Sequence, residues 1–114
     1  MMADCIFCNI VRDSTNESII YKDDKVVVIR DTNPQARIHV LIIPNMHLNS
    51  LAYIGPGQVP IMGHLFVVAE EMARREGIAL SGYRTVLNQG SDSGQEISHL
   101  HMHVIGGQPL AAIG

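Results

Sequence analysis

Ser98-His99-Leu100-His101-Met102-His103-Val104-Ile105 alternates imidazole and apolar side chains over its whole length. Side chains on a β-strand point to opposite faces with a period of two, so the run predicts a strand over Leu100 to Ile105. His99, His101 and His103 fall on one side of it, and Leu100, Met102 and Val104 on the other, against a core. Imidazole is the side chain that changes charge between acid and neutral pH. Three on one face can divide the roles of nucleophile, proton donor and anion binder. A solvent-facing strand would show the same period, though more often through Thr, Lys and Glu.

The strands leading to this one are readable too. Ile19 to Tyr21 and Val26 to Arg30 flank Lys22-Asp23-Asp24 and predict a hairpin. Ile38 to Ile43, halted by Pro44, is almost continuously apolar and predicts a central strand covered on both faces. Tyr83 to Leu87 supplies one more. Ile61, Met62, Leu65, Val68, Ala69, Met72 and Ala73 recur at helical spacing through Arg75, with Gly77 placed as the stop. Phe66 and Val67 widen that stripe enough for part of it to face a second subunit. Ile6, Phe7, Ile10 and Val11 predict a short N-terminal helix, closed by the polar stretch Asp13 to Asn16. The expected fold is α+β, with about five mainly antiparallel strands, one long helix and a short first helix.

Residues 1–114 suffice for a single domain with one core. A hydrophobic content of 46% with a net charge of −3 describes a soluble protein without whole-chain attraction for nucleic acid or anionic membranes. Phosphate must therefore be bound locally. No apolar run approaches the length of a membrane span, and Met1 to Asn9 does not read as a secretion signal, so the expected location is cytoplasmic. The two cysteines, Cys5 and Cys8, form a C-x-x-C pair. In a reducing compartment such a pair is a metal half-site, a redox pair or two small buried hydrophobes.

The segment Asn88-Gln-Gly-Ser-Asp-Ser-Gly94-Gln95-Glu96 leads into the histidine run. Its glycines allow tight turns that aim N–H groups at an anion, and Asn88 and Gln95 add side-chain donors. A turn-rich hairpin loop without ligand would have the same composition.

These landmarks resemble the histidine triad (HIT) superfamily, whose signature H-x-H-x-H with apolar x is matched by His99 to His103. Cys-Ile-Phe-Cys, Asp31-Thr-Asn-Pro-Gln-Ala, His39-Val-Leu-Ile-Ile-Pro44, His47, Gly82-Tyr-Arg, Asn88, Gly94-Gln95-Glu96 and Gly106-Gly107 are similar to its Hint branch, in the same order. The resemblance implies a homodimeric purine nucleotide-binding hydrolase that cleaves the P–N bond of nucleoside 5′-phosphoramidates and also acts on related aminoacyl adenylates. His101 would attack the α-phosphorus and form a nucleotidyl-histidine intermediate. His103 would contact the phosphate and assist proton transfer, with Asn88, Gly94 and Gln95 stabilising the phosphoryl oxygens. Asp31 matches the ribose-binding carboxylate, and Phe7, Ile10, Ile29, Arg30 and Thr32 would line the nucleoside pocket. Taken without the resemblance, Phe7 and Ile10 read as core. Glu96 stands where some relatives carry a serine that helps protonate the leaving amine. Ser98 replaces a frequent aromatic residue, and the tail lacks the tryptophan that reaches a partner's site in some relatives.

The resemblance also assigns a structural Zn²⁺ to Cys5, Cys8, His47 and His99, a closed set of two thiolates and two imidazoles. His39 and His64 are expected at strand and helix surfaces with no chemical role. Leu65 and Val68 are expected at the dimer interface. Two other functions remain compatible with the same histidines: a dinucleoside polyphosphate hydrolase, and a nucleotide-sensing or protein-interaction module with residual activity. A zinc-binding DNA module is disfavoured by the acidic balance and the ligand spacing.

Overall fold

The structure, a computed structural model, describes residues 5–13 and 15–113. The reading of residues 1–4 within the N-terminal segment, and of Ser14 in the polar stop of the first helix, lies outside them. The chain runs through α1 (Ile6–Arg12), the strands β1 (Ile19–Lys22), β2 (Val26–Arg30) and β3 (Ile38–Pro44), the helix α2 (Val59–Arg75), and then β4 (Tyr83–Val86) and β5 (Met102–Gly106). The strands form a five-stranded sheet in the order β1-β2-β3-β5-β4, and each adjacent pair is antiparallel. The continuously apolar β3 takes the centre, with six of its seven residues buried, because it is covered on both faces.

One face carries α2. Val26, Val28, Val40, Ile42, Met102 and Val104 meet Leu65, Val68, Ala69 and Met72 in the larger core. The period of two sends their neighbours Val27, Ile29, Leu41 and Ile43 to the opposite face, where Phe7 of α1 covers them. The helix ends as its sequence requires. Gly77 adopts a φ of 77°, Gly77 N–H bonds to Arg74 C=O at 3.1 Å, and Ile78 N–H bonds to Ala73 C=O at 2.8 Å. That double closure is a Schellman motif, which needs a residue tolerant of the left-handed region.

Several expectations are revised. β5 starts at Met102, so Leu100, His99 and His101 belong to the segment entering the strand, where His99 turns into the interior. Pro44 does not halt β3 but closes it, opposite Val26. Leu65 and Val68 are 0% and 2% exposed and belong to this chain's own core, because the helical period aims them at the sheet. The large apolar residues exposed on α2 are Val59, Phe66 and Val67. His64 does lie on the helix, but it is half-buried, with Nε2 2.8 Å from Asp23 Oδ2, and so fastens α2 to the β1–β2 hairpin. Burial alone would push the Asp23 carboxyl up. Hydrogen bonds from Lys25 N–H, His64, Val26 N–H and Tyr21 outweigh it and hold the carboxyl at about 2.

Candidate active site and metal centre

The three imidazoles gather beside Phe7 of α1, although only His103 lies within β5 and the expected strand alternation does not extend to His99 and His101. The Phe7 ring meets those of His99 and His101 edge-on at 5.8 and 5.0 Å, and His101 and His103 are 5.1 Å apart between centroids. His101 Nδ1 is 2.8 Å from the carbonyl oxygen of His99. A carbonyl can only accept, so Nδ1 carries the proton and donates it there. This leaves the Nε2 lone pair free.

His103 is positioned by a residue that sequence reasoning set aside. His39 is 5% exposed, not on the strand surface. In the β3–β5 register Leu41 faces His103 and His39 faces Ile105, which makes His39 and His103 diagonal neighbours on one face. The nitrogens His39 Nε2 and His103 Nδ1 are 2.9 Å apart. Gln35 N–H donates to His39 Nδ1 at 2.9 Å, so His39 carries its proton on Nε2, shared between His103 Nδ1 and Asp31 Oδ2 at 3.2 Å. His103 thus accepts at Nδ1 and keeps its own proton on Nε2. Burial, with the neighbouring imidazoles of His101 and His39 adding to it, pushes His103 down to about 4. At neutral pH it is therefore an uncharged hydrogen-bond donor. Burial lowers His39 as well, against the opposing pull of Asp31. The signal available in the sequence was His39's parity with Leu41 on the strand; its partner, 64 positions away, was not visible there.

A cavity of about 350 Å³ opens over this constellation, a size usual for small-molecule sites. Of the expected site residues, Phe7, Ile10, Ile29, Arg30, Asp31, Thr32, Asn88, Gly94, Glu96, His101 and His103 line it, joined by Ile6, Ser18, Asn33, Leu41 and Ile97. Phe7 serves both expectations, as core and as cavity wall. Two residues are placed differently from expectation. Arg30 lines the wall, but its guanidinium is turned to Glu76, donating at 2.7 and 3.2 Å. Gln95 does not line the cavity. Its Oε1 accepts from Gly90 N–H at 2.9 Å and its Nε2 donates to Asn49 C=O at 2.9 Å and Ile97 C=O at 3.2 Å, so its amide braces the loop. Gly94, at the wall, has a φ of 89°, a turn that a side chain would strain.

Next to the cavity, Cys5, Cys8, His47 and His99 bring four ligand atoms within 4.8 Å of one another, a cluster that could hold a metal ion. The C-x-x-C spacing accounts for half of it: Cys5 caps α1, accepting Cys8 N–H on its Sγ at 3.2 Å, and both thiols then face the same way. His47 Nε2 donates to Asn49 Oδ1 at 2.6 Å and His99 Nε2 to Pro44 C=O at 2.8 Å. Both imidazoles therefore direct a bare Nδ1 at the thiols, with N···S distances of 3.1 to 3.5 Å. Burial and the adjacent Cys5 push the Cys8 thiol up to about 11. A divalent cation is the partner that would convert both sulfurs to thiolates. Donor type, tautomers and spacing all fit a tetrahedral N₂S₂ ion.

This fold and site define a histidine triad protein. Residues 4–111 match the family described as "Scavenger mRNA decapping enzyme C-term binding", and the chain belongs to the HIT family. It is a hydrolase of that family. It is 40% identical over 110 residues to a purine nucleoside phosphoramidase of Escherichia coli K12, covering 96% of this chain and 92% of that one. A HIT family hydrolase from Clostridium thermocellum superposes with a TM-score of 0.92 at 35% identity, over 99% of this chain and 98% of the other. A zinc-bound histidine triad protein from Mycobacterium smegmatis gives 0.74 at 31% identity, over 90% and 73%.

Proposed function

We propose that this protein hydrolyses purine nucleoside 5′-phosphoramidates at the P–N bond, and related aminoacyl adenylates at the P–O bond of their mixed anhydride. One observation carries the reading: the His101 Nδ1–H is spent on the His99 carbonyl, at 2.8 Å, beside a cavity that His101 lines. In the neutral ring Nε2 is then the nitrogen that carries the lone pair, available as nucleophile. The apolar residues Ile6, Phe7, Ile10 and Ile29 form the wall for the base, and Asp31 accepts from ribose hydroxyls. His103 Nε2–H, with donors from Asn88 and the Gly94 turn, holds the phosphoryl oxygens.

Attack by His101 Nε2 forms a P–N bond to the ring and breaks the bond to the leaving nitrogen. That nitrogen departs as an amine, taking a proton from water at the cavity mouth. The Nδ1–H stays on the imidazolium, stabilised by the His99 carbonyl. Water then attacks phosphorus, releases the nucleoside monophosphate, restores His101 and returns the proton. Because His103 titrates near 4, its task is hydrogen bonding to the phosphate and not delivery of a stored proton.

Zn²⁺ is the ion that Cys5, Cys8, His47 and His99 suit, in a structural role. When bound it ties α1, which supplies Phe7 and Ile10, to the segment that carries His101. The protein would act as a homodimer. β4 lies at one edge of the sheet, and Phe66 and Val67 on α2 are 53% and 65% exposed, an open backbone edge and an apolar surface that a second copy would cover.

The deciding experiment follows AMP release from adenosine 5′-phosphoramidate by wild type and His101→Gly, together with mass spectrometry of protein quenched in denaturant at alkaline pH, where a nucleotidyl-histidine survives. Wild type should release AMP and carry one nucleotidyl group, and His101→Gly should lose both, with a rate drop of at least about 10³-fold. Retention of more than about a tenth of kcat by His101→Gly would refute the assignment. Release from dinucleoside polyphosphates alone would replace the reading.

A further inference from the structure

We infer that Glu96 selects the leaving group, and that the favoured substrates are phosphoramidates whose leaving amine bears an additional positive charge. The inference rests on the phosphoramidase reading and concerns the half of the substrate that the nucleoside pocket does not touch.

The charged side chains lining the cavity, among the described residues, are Arg30, Asp31 and Glu96. Arg30 is neutralised by Glu76 through two contacts, at 2.7 and 3.2 Å. Asp31 is engaged as well: Oδ1 accepts Asn33 N–H at 2.8 Å and Oδ2 faces His39 at 3.2 Å. Glu96 has no hydrogen-bond or ion-pair partner among the described residues and is exposed. No lysine lines the cavity, and His103 is uncharged at neutral pH. The free field at the mouth is therefore negative, an unusual setting for a phosphate site.

With the other walls taken, the leaving group falls to the side of that carboxylate. In-line attack by His101 Nε2 expels the amine on the side of phosphorus away from the ring. The apolar α1 wall and Asp31 hold the nucleoside, and His103, Asn88 and the Gly94 turn hold the phosphoryl oxygens, so the amine is left to the side that Glu96 lines. A polyphosphate leaving group would bring two or more negative charges there with no cation to meet them. An ammonium group carried on the amine would meet an unpaired carboxylate.

In water a unit charge pair about 5 Å apart is worth a rate factor of about four, more where solvent is partly excluded. The test uses three AMP phosphoramidates of matched length, made from propylamine, 1,3-diaminopropane and β-alanine. Their leaving groups are neutral, cationic and anionic. Wild-type kcat/KM should fall from cationic to neutral to anionic, by about fourfold at each step, and the spread should narrow when salt is raised from about 0.05 M to about 0.5 M. Glu96→Gln should bring the three within about twofold of one another, and Glu96→Lys should reverse the order. Equal rates for wild type on all three, or an order that survives Glu96→Gln, would overturn the role of Glu96 while leaving the phosphoramidase reading intact. Hydrolysis of none of the three would overturn both. Because each variant is compared with itself across substrates, a change in its overall activity leaves the order of the three rates interpretable.

Discussion

His39→Ala tests whether the side chain behind the triad orients it. The substitution removes the acceptor for Gln35 N–H and the donor to His103 Nδ1, both at 2.9 Å. Gln35 is exposed, so its N–H can turn to water, and each of the two lost hydrogen bonds costs about 0.5 to 1.5 kcal/mol. Stability should therefore fall by about 1 to 3 kcal/mol, within the margin of about 5 to 15 kcal/mol that a domain of this size carries. The protein should still fold. Catalysis should suffer by a different route. Freed from His39, His103 can take the tautomer with its proton on Nδ1, and the Nε2–H held for the phosphoryl oxygen is lost in that form. A hydrogen bond to a charged group is worth about 1.5 to 3 kcal/mol, which is about ten- to a hundredfold in kcat/KM. The assay pairs urea denaturation with steady-state hydrolysis of adenosine 5′-phosphoramidate well below the unfolding midpoint. A folded His39→Ala protein with kcat/KM within about twofold of wild type would refute the argument.

Three further outcomes are expected. Cys8→Ser should bind far less than one zinc per chain and melt earlier, because the remaining ligands of a closed site are underbonded; wild type purified without chelator but holding under about a tenth of an equivalent would refute zinc. His103 is held at about 4 in the fold against an ordinary 6.5. The unfolded chain therefore binds more protons between those values, and stability should be full above about 6.5, fall as pH drops and level off below about 4. The urea midpoint of His103→Gln should lose that part of the slope, and identical slopes in the two proteins would count against it. Val67→Asp, on the exposed face of α2, should convert a dimer to monomer in sedimentation while leaving the monomer folded; a wild-type protein that sediments as an active monomer would remove the dimer.

Local periodicity set a large share of this protein before any long-range contact was considered. The alternation determined the two faces of β5 from Met102 onward, the apolar run Ile38 to Ile43 a central strand, and Gly77 the end of α2, because each depends on backbone geometry within a few residues; His99 and His101 lie before the strand, where that period does not apply. Resemblance in short motifs added the cavity residues, most of which do line it. Tertiary structure decided what those faces meet. Parity put His39 beside Leu41 but could not say that a histidine 64 positions later lies diagonally across the sheet, so a buried positioning residue read as surface. Gln95 and Arg30 offer polar groups suited to a nucleotide. Only the folded loop and α2 showed those groups already taken, by Gly90, Asn49 and Ile97 in one case and by Glu76 in the other. A hydrogen-bonding side chain declares its capacity in the sequence; its partner is chosen by the register of strands and the packing of helices that bring distant residues within about 3 Å.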